Sequence, residues 1–94
     1  MALSEDIRAL NLHFLLVLRD QSLRDTSAAC LSFGVSPDFV QHICEMSLEK
    51  LHQFAVCDSL YFAPRFPAST IDKISRAPVQ LRSAMVEVQS ASAA

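Results

Sequence analysis

The segment "STIDKISRAPVQLRS", Ser69 to Ser83, gathers Lys73, Arg76, Gln80 and Arg82 into a short stretch of chain. Long cationic side chains at this density suit an anionic partner. Lys or Arg contacts to phosphate set position, and Arg or Gln can read a base edge through paired hydrogen bonds. These four residues are the candidate DNA contacts. Arg76 follows an expected short helix and precedes Pro78, a corner from which its side chain reaches outward. A merely solvated basic surface would carry the same residues, so spacing leaves both readings open. Arg65, set among Phe62, Pro64, Phe66 and Pro67, reads instead as a cation on an aromatic ring or a partner for an acid.

The other reactive side chains lack a working arrangement. His42 and Cys44 are two apart on an expected helix and so point to nearly opposite sides, and His52 and Cys57 lack finger spacing. No metal, cofactor or catalytic residue is therefore expected. Cys57 has no glycine-rich turn or neighbouring acid to make it a nucleophile, and an enzyme is a distant reading. The three cysteines, Cys30, Cys44 and Cys57, are odd in number and without a tight pairing pattern. They read as small core residues of a reduced, cytoplasmic protein. The apolar run "LNLHFLLVL" is interrupted by Asn11 and His13 and preceded by Glu5 and Asp6, which suits neither an export signal nor a membrane span.

A second stretch, "TSAACLSFGVSPDFVQHICEM" from Thr26 to Met46, has the outline of a helix-turn-helix broken at the chain's only glycine. Ala29 or Cys30, Gly34, Val35, Val40 and Ile43 supply the small, turn-forming and apolar positions such a unit needs. The second helix, however, has no Lys or Arg and presents Asp38, Gln41, His42 and Glu45. Acids there would face phosphates, and little counterion-release energy would hold a groove. These four are expected to meet a protein partner.

Elements that would position these residues are all helical. Ser4 is the expected N-cap of a long first helix running to about Leu23, with Glu5 and Asp6 in its first turn. A second helix is expected from Asp25 or Thr26 to Gly34, a third capped by Ser36 with Pro37 at its first position, and a fourth capped by Ser47 with Leu48, Leu51 and Ala55 on one side. "LYFAPRFP" contains prolines that forbid a helix and leave at most a short edge strand. Ser69 or Thr70 would cap a short fifth helix, Pro78 would break it, and "VQLRSAMVEV" would add an amphipathic turn or two. This predicts an all-α chain of one domain, with residues 1–68 a helical core, 69–89 a basic segment and 90–94 a disordered tail.

Half of the 94 residues are apolar, rich for so small a chain, which points to a subunit interface. The first helix carries two stripes, Ile7, Leu10, Phe14 and Val17 on one face and Leu12, Leu15, Leu16 and Leu23 on another. A central core helix would show the same stripes; the subunit reading makes Ile7, Leu10, Phe14, Leu15 and Leu18 the dimer interface. Net charge is −2 overall, but residues 1–64 hold four basic and eight acidic side chains, whereas residues 65–94 hold four basic and two acidic ones. Any anion-binding face therefore lies toward the C-terminal end.

The succession "LNLHFLLVLRDQSLRDTSAACLSFGVSPDFVQHICEMSLEKLHQFAVCDSLYFAPRF" resembles the FlhD family of bacterial flagellar regulators in the order of its segments, over roughly Leu10 to Ile74. The resemblance implies an all-helical homodimer that joins an FlhC-like, zinc-binding partner in a heteromeric activator of flagellar operons, binding promoter DNA as a complex. Some members carry a dimer-linking cysteine in the extended segment. Phe62 stands at that place here, so no covalent dimer is implied. A dimeric regulatory module that binds protein but not DNA is the alternative reading.

Overall fold

The computed structural model describes the backbone of residues 2–93 and the side chains of residues 3–88. Six α-helices occupy it, α1 (Ala2–Arg24), α2 (Thr26–Phe33), α3 (Pro37–Glu45), α4 (Leu48–Ala55), α5 (Ile71–Arg76) and α6 (Val79–Ala93), with a 3₁₀ turn at Ala68–Thr70 before α5. No strand occurs among the described residues, so "LYFAPRFP" is irregular throughout. The chain divides into two compact units, Met1–Ala63 and Pro64–Ala94.

Local chemistry sets most of the helix ends. The Asp25 carboxylate accepts from the Ala28 amide at 3.1 Å and opens α2. Gly34 closes it in the left-handed region (φ 67°, ψ 37°). There the amides of Gly34 and Val35 both donate to the Cys30 carbonyl, at 2.9 and 3.2 Å, an arrangement that a Cβ would penalise. Ser36 Oγ accepts from the Phe39 amide and Ser47 Oγ from the Lys50 amide, each at 3.1 Å, and Pro37 occupies the first turn of α3, where its missing N–H costs nothing.

Two expected caps are absent. Ser4 lies inside α1, which already begins at Ala2. Ser69 and Thr70 belong to the 3₁₀ turn, and no side chain caps α5, because Thr70 is already in the right-handed helical region (φ −88°, ψ −16°) and not in the extended conformation a cap adopts. At the other end, the backbone of α6 is helical through Ala93, past the Ser90 at which the sequence reading begins a disordered tail; Ala94 lies outside the described residues.

In the first unit, α2, α3 and α4 all pack on α1. The core is Leu15, Leu18, Ala29, Val40, Ile43, Leu51 and Ala55. Burying each large member contributes roughly 1.5–3 kcal/mol. The face that α1 turns inward is Asn11, Leu15, Leu18 and Ser22, spaced four, three and four apart. It runs between the two apolar stripes of the sequence and takes a polar residue at each end. On α4, Leu51 and Ala55 are buried as expected, whereas Leu48 is exposed.

Asn11 is the anchor of a strap that the chain forms after α4. Its side-chain amide donates to the Ser59 carbonyl at 2.9 Å and its oxygen accepts from the Tyr61 amide at 2.8 Å. One turn earlier Arg8 pairs with Asp58 at 3.0 Å, and one turn later Phe14 stacks on Phe62 with ring centroids 4.9 Å apart. Tyr61 stacks on Phe54 at 4.7 Å, and its hydroxyl donates to the Phe54 carbonyl. The successive positions 8, 11 and 14 of one helix thus hold an irregular segment about fifty residues away in sequence.

Candidate functional site

The second unit presents the basic segment. Lys73 and Arg76 lie on α5 and Gln80 and Arg82 on α6, and the turn at Ala77 and Pro78 joins the two helices. Lys73, Arg76 and Gln80 are exposed. Arg76 lies 2.9 Å from the Asp72 carboxylate, one turn away on the same exposed surface. Such a pair is weak in water and opens at little cost when a phosphate competes for the guanidinium. Arg82 differs. It is half-buried, and its Nε and Nη2 donate to the backbone carbonyls of Ala77 and Ser75, both at 3.1 Å. The fork that would grip a phosphate or a guanine edge is here turned onto the carbonyls at the corner between the helices. Lys73 also lines an open apolar groove of about 280 Å³ with Thr70, Ala84, Met85 and Val88. Arg65 is half-buried.

The α2–α3 corner has the packing expected of it. Ala29, Val40 and Ile43 are buried, and Cys30 and Val35 lie partly buried against the same core. Asp38, Gln41, His42 and Glu45 are all exposed on α3. The Gln41 amide donates to Glu45 at 3.1 Å, and His42 Nδ1 lies 2.8 Å from the Asp38 carbonyl. An open groove of about 550 Å³ runs beside them, lined by His42, Glu45, Met46, Lys50, Gln53 and Phe54. Lys50, Gln53 and Phe54 were not singled out in the sequence. Their signal was a 3–4 spacing along one side of α4, which gains meaning only from the groove they share with His42 and Glu45 of α3.

The five residues expected at a dimer interface differ in exposure. Leu15 and Leu18 have no exposed surface, being packed in the core of their own unit. Phe14 is half-buried and spends its ring on Phe62 and on Phe33, 5.7 Å away. Ile7 is half-exposed and Leu10 is 50% exposed. Leu3, 72% exposed, extends the same side of α1 toward its start. The helix thus divides its labour lengthwise as well as around its axis, with the interior contacts beginning only at Asn11.

The cysteines are free and half-buried, Cys30 and Cys44 against the core. Cys57 neighbours Tyr61, whose phenol titrates above the ordinary 10.0, first because burial disfavours the phenolate and then because of Cys57 as hydrogen-bond partner and as a charge. Among the described residues no group of three or more His, Cys, Asp or Glu is placed to hold a metal ion, and no helix is long and apolar enough to cross a membrane.

A family model of the flagellar transcriptional activator FlhD matches residues 1–93. The chain belongs to the FlhD family. The match extends beyond the Leu10–Ile74 stretch that carries the resemblance in sequence, and so takes in the start of α1 and the whole of α6. Comparison with curated proteins and with solved structures found no match. The FlhD family is one of transcriptional activators acting in flagellar gene expression, not a family of enzymes.

Proposed function

We propose that this FlhD-family chain is a cytoplasmic homodimer that joins an FlhC-like, zinc-binding partner and, within that complex, binds the promoters of flagellar genes. The observation that carries the reading is the division of charge between the two units. Met1–Ala63 holds four basic and eight acidic side chains, and Pro64–Ala94 four basic and two acidic. Of the candidate contacts, Lys73, Arg76 and Gln80 are exposed on the basic unit. An acidic first unit repels a duplex, and so few cations offset few phosphates, so the isolated dimer binds DNA weakly and a partner supplies most of the counterion release. Dimerisation is assigned to the Leu3, Ile7 and Leu10 side of α1, and partner binding to Asp38, Gln41, His42 and Glu45 with the α4 residues beside them.

One observation favours the alternative, a dimeric regulatory module without DNA contacts: Arg76 is paired with Asp72 and Arg82 is bonded to backbone, which leaves Lys73 as the uncommitted cation of the three. The test is co-purification with an FlhC-like partner followed by fluorescence anisotropy on a promoter fragment, with and without the partner, at two salt concentrations. Tight, salt-dependent binding only with the partner, weakened by joint Lys73→Ala and Arg76→Ala, supports the proposal. Full affinity in that double variant decides for the protein-binding module.

A further inference from the structure

We propose that Arg82 is a positioning residue, a clamp that fixes the α5–α6 corner and thereby places Lys73, Arg76 and Gln80, and that it does not itself touch DNA. The placement half of this inference rests on the DNA-binding reading above; the clamp half does not.

Helix α5 is short, and just after its end the Ala77 amide reaches back to the Ile74 carbonyl at 3.1 Å. Six residues of helix have little stability of their own, since nucleation is costly and few intrahelical bonds repay it. The carbonyls at its end need donors from elsewhere. Pro78 cannot supply one, having no N–H, and it also bars the residue before it from the helical region; Ala77 is accordingly extended (φ −74°, ψ 149°). Arg82, one turn into α6, fills this need. Its Nε donates to the Ala77 carbonyl and its Nη2 to the Ser75 carbonyl, at 3.1 Å each. One planar group carried by α6 thus bonds two carbonyls at the end of α5, and a cation at a helix C-terminus meets the negative end of the dipole. A second local bond, from the Ser75 hydroxyl to the Asp72 carbonyl at 2.9 Å, braces the same turn. The burial pattern agrees: Arg82 is half-buried while Lys73, Arg76 and Gln80 are exposed around it.

Lysine keeps the charge but lacks the rigid fork, so Arg82→Lys separates the two roles. The full chain is compared with Arg82→Lys and Arg82→Ala by amide hydrogen exchange without DNA, then in complex with an FlhC-like partner by anisotropy at several salt concentrations. With charge-assisted bonds lost, exchange across residues 71–81 accelerates about tenfold in both variants while the α1–α4 amides keep their protection, which also shows that the variants fold. In the complex, Arg82→Lys lowers promoter affinity and narrows the preference for promoter over scrambled duplex, without changing the salt slope, since no phosphate contact is removed. Unchanged exchange in both variants overturns the clamp. Wild-type affinity for Arg82→Lys with a shallower salt slope for Arg82→Ala makes Arg82 a phosphate contact and overturns the proposal. Faster exchange with unaltered promoter affinity and slope in both variants leaves the clamp standing and overturns the placement of DNA on this unit.

Discussion

In the first unit seven apolar residues from four helices are buried against one another, and Asn11 ties a distant segment onto them; in the second, Thr70 is the one buried residue among those described, while Ile71, Val79, Leu81 and Val88 are all more than half exposed. The first is held by a core, the second by hydrogen bonds around a corner. Burial of apolar area is strong and spread over many contacts, so the first unit tolerates change on its surface and suffers from change within. The second depends on a few directional bonds such as those of Arg82, each of modest net worth. The acidic charge goes with the first unit and the basic charge with the second, so the part with the firmest structure is the part less suited to an anionic partner.

This contrast can be broken most directly in the core. Leu18→Ala removes a side chain with no exposed surface and is expected to cost about 2–5 kcal/mol, read as a drop in the chemical denaturation midpoint. Met85→Ala in the second unit is expected to leave that midpoint nearly unchanged. Equal losses would show that the two units share one cooperative structure.

Next in size is the strap. Asn11→Ala strands the Ser59 carbonyl and the Tyr61 amide, at an expected cost of about 1–3 kcal/mol. Hydrogen exchange of residues 58–62 should accelerate first. A variant in which those amides stay protected would mean that the Phe14–Phe62 stack suffices to hold the segment.

Leu10→Asp probes surface against core on a single helix. Leu10 is 50% exposed whereas Leu15 is wholly buried, so sedimentation should show folded monomer for Leu10→Asp and loss of folding for Leu15→Asp. A dimer that survives Leu10→Asp would move the interface elsewhere.

The smallest effect is the alkaline limb of stability. The folded Tyr61 phenol titrates above the ordinary 10.0 of the unfolded chain. Its contribution is therefore fully present below that value and is lost as pH rises through the folded value. Tyr61→Phe should flatten the stability profile above about pH 10 while leaving its shape at neutral pH unchanged; an unaltered alkaline limb would assign it to another group.

What the sequence determined by itself were the features whose partners lie within a few residues. The Ser36 and Ser47 caps, the left-handed Gly34 and the break at Pro78 each follow from one side chain or one backbone preference acting on its near neighbours, and those boundaries were legible. So was the α2–α3 packing, because Ala29, Gly34, Val40 and Ile43 fall at spacings fixed by helix geometry. Ser4 and Ser69 misled for the same reason: a capping side chain is an offer, and the chain takes it up only where the backbone is extended. The tertiary structure decided everything that depended on which of several similar groups met a distant partner. The subunit reading grouped Leu10, Phe14, Leu15 and Leu18 together, and only the approach of α2, α3 and α4 buried Leu15 and Leu18 and left Leu10 outside. Asn11 looked like an interruption in an apolar run until Ser59 and Tyr61, 48 and 50 residues away, satisfied its amide. Arg82 looked like Lys73 and Arg76, for charge is a property of the side chain alone. Whether that charge faces solvent or a carbonyl depends on the path the backbone takes around Ala77 and Pro78.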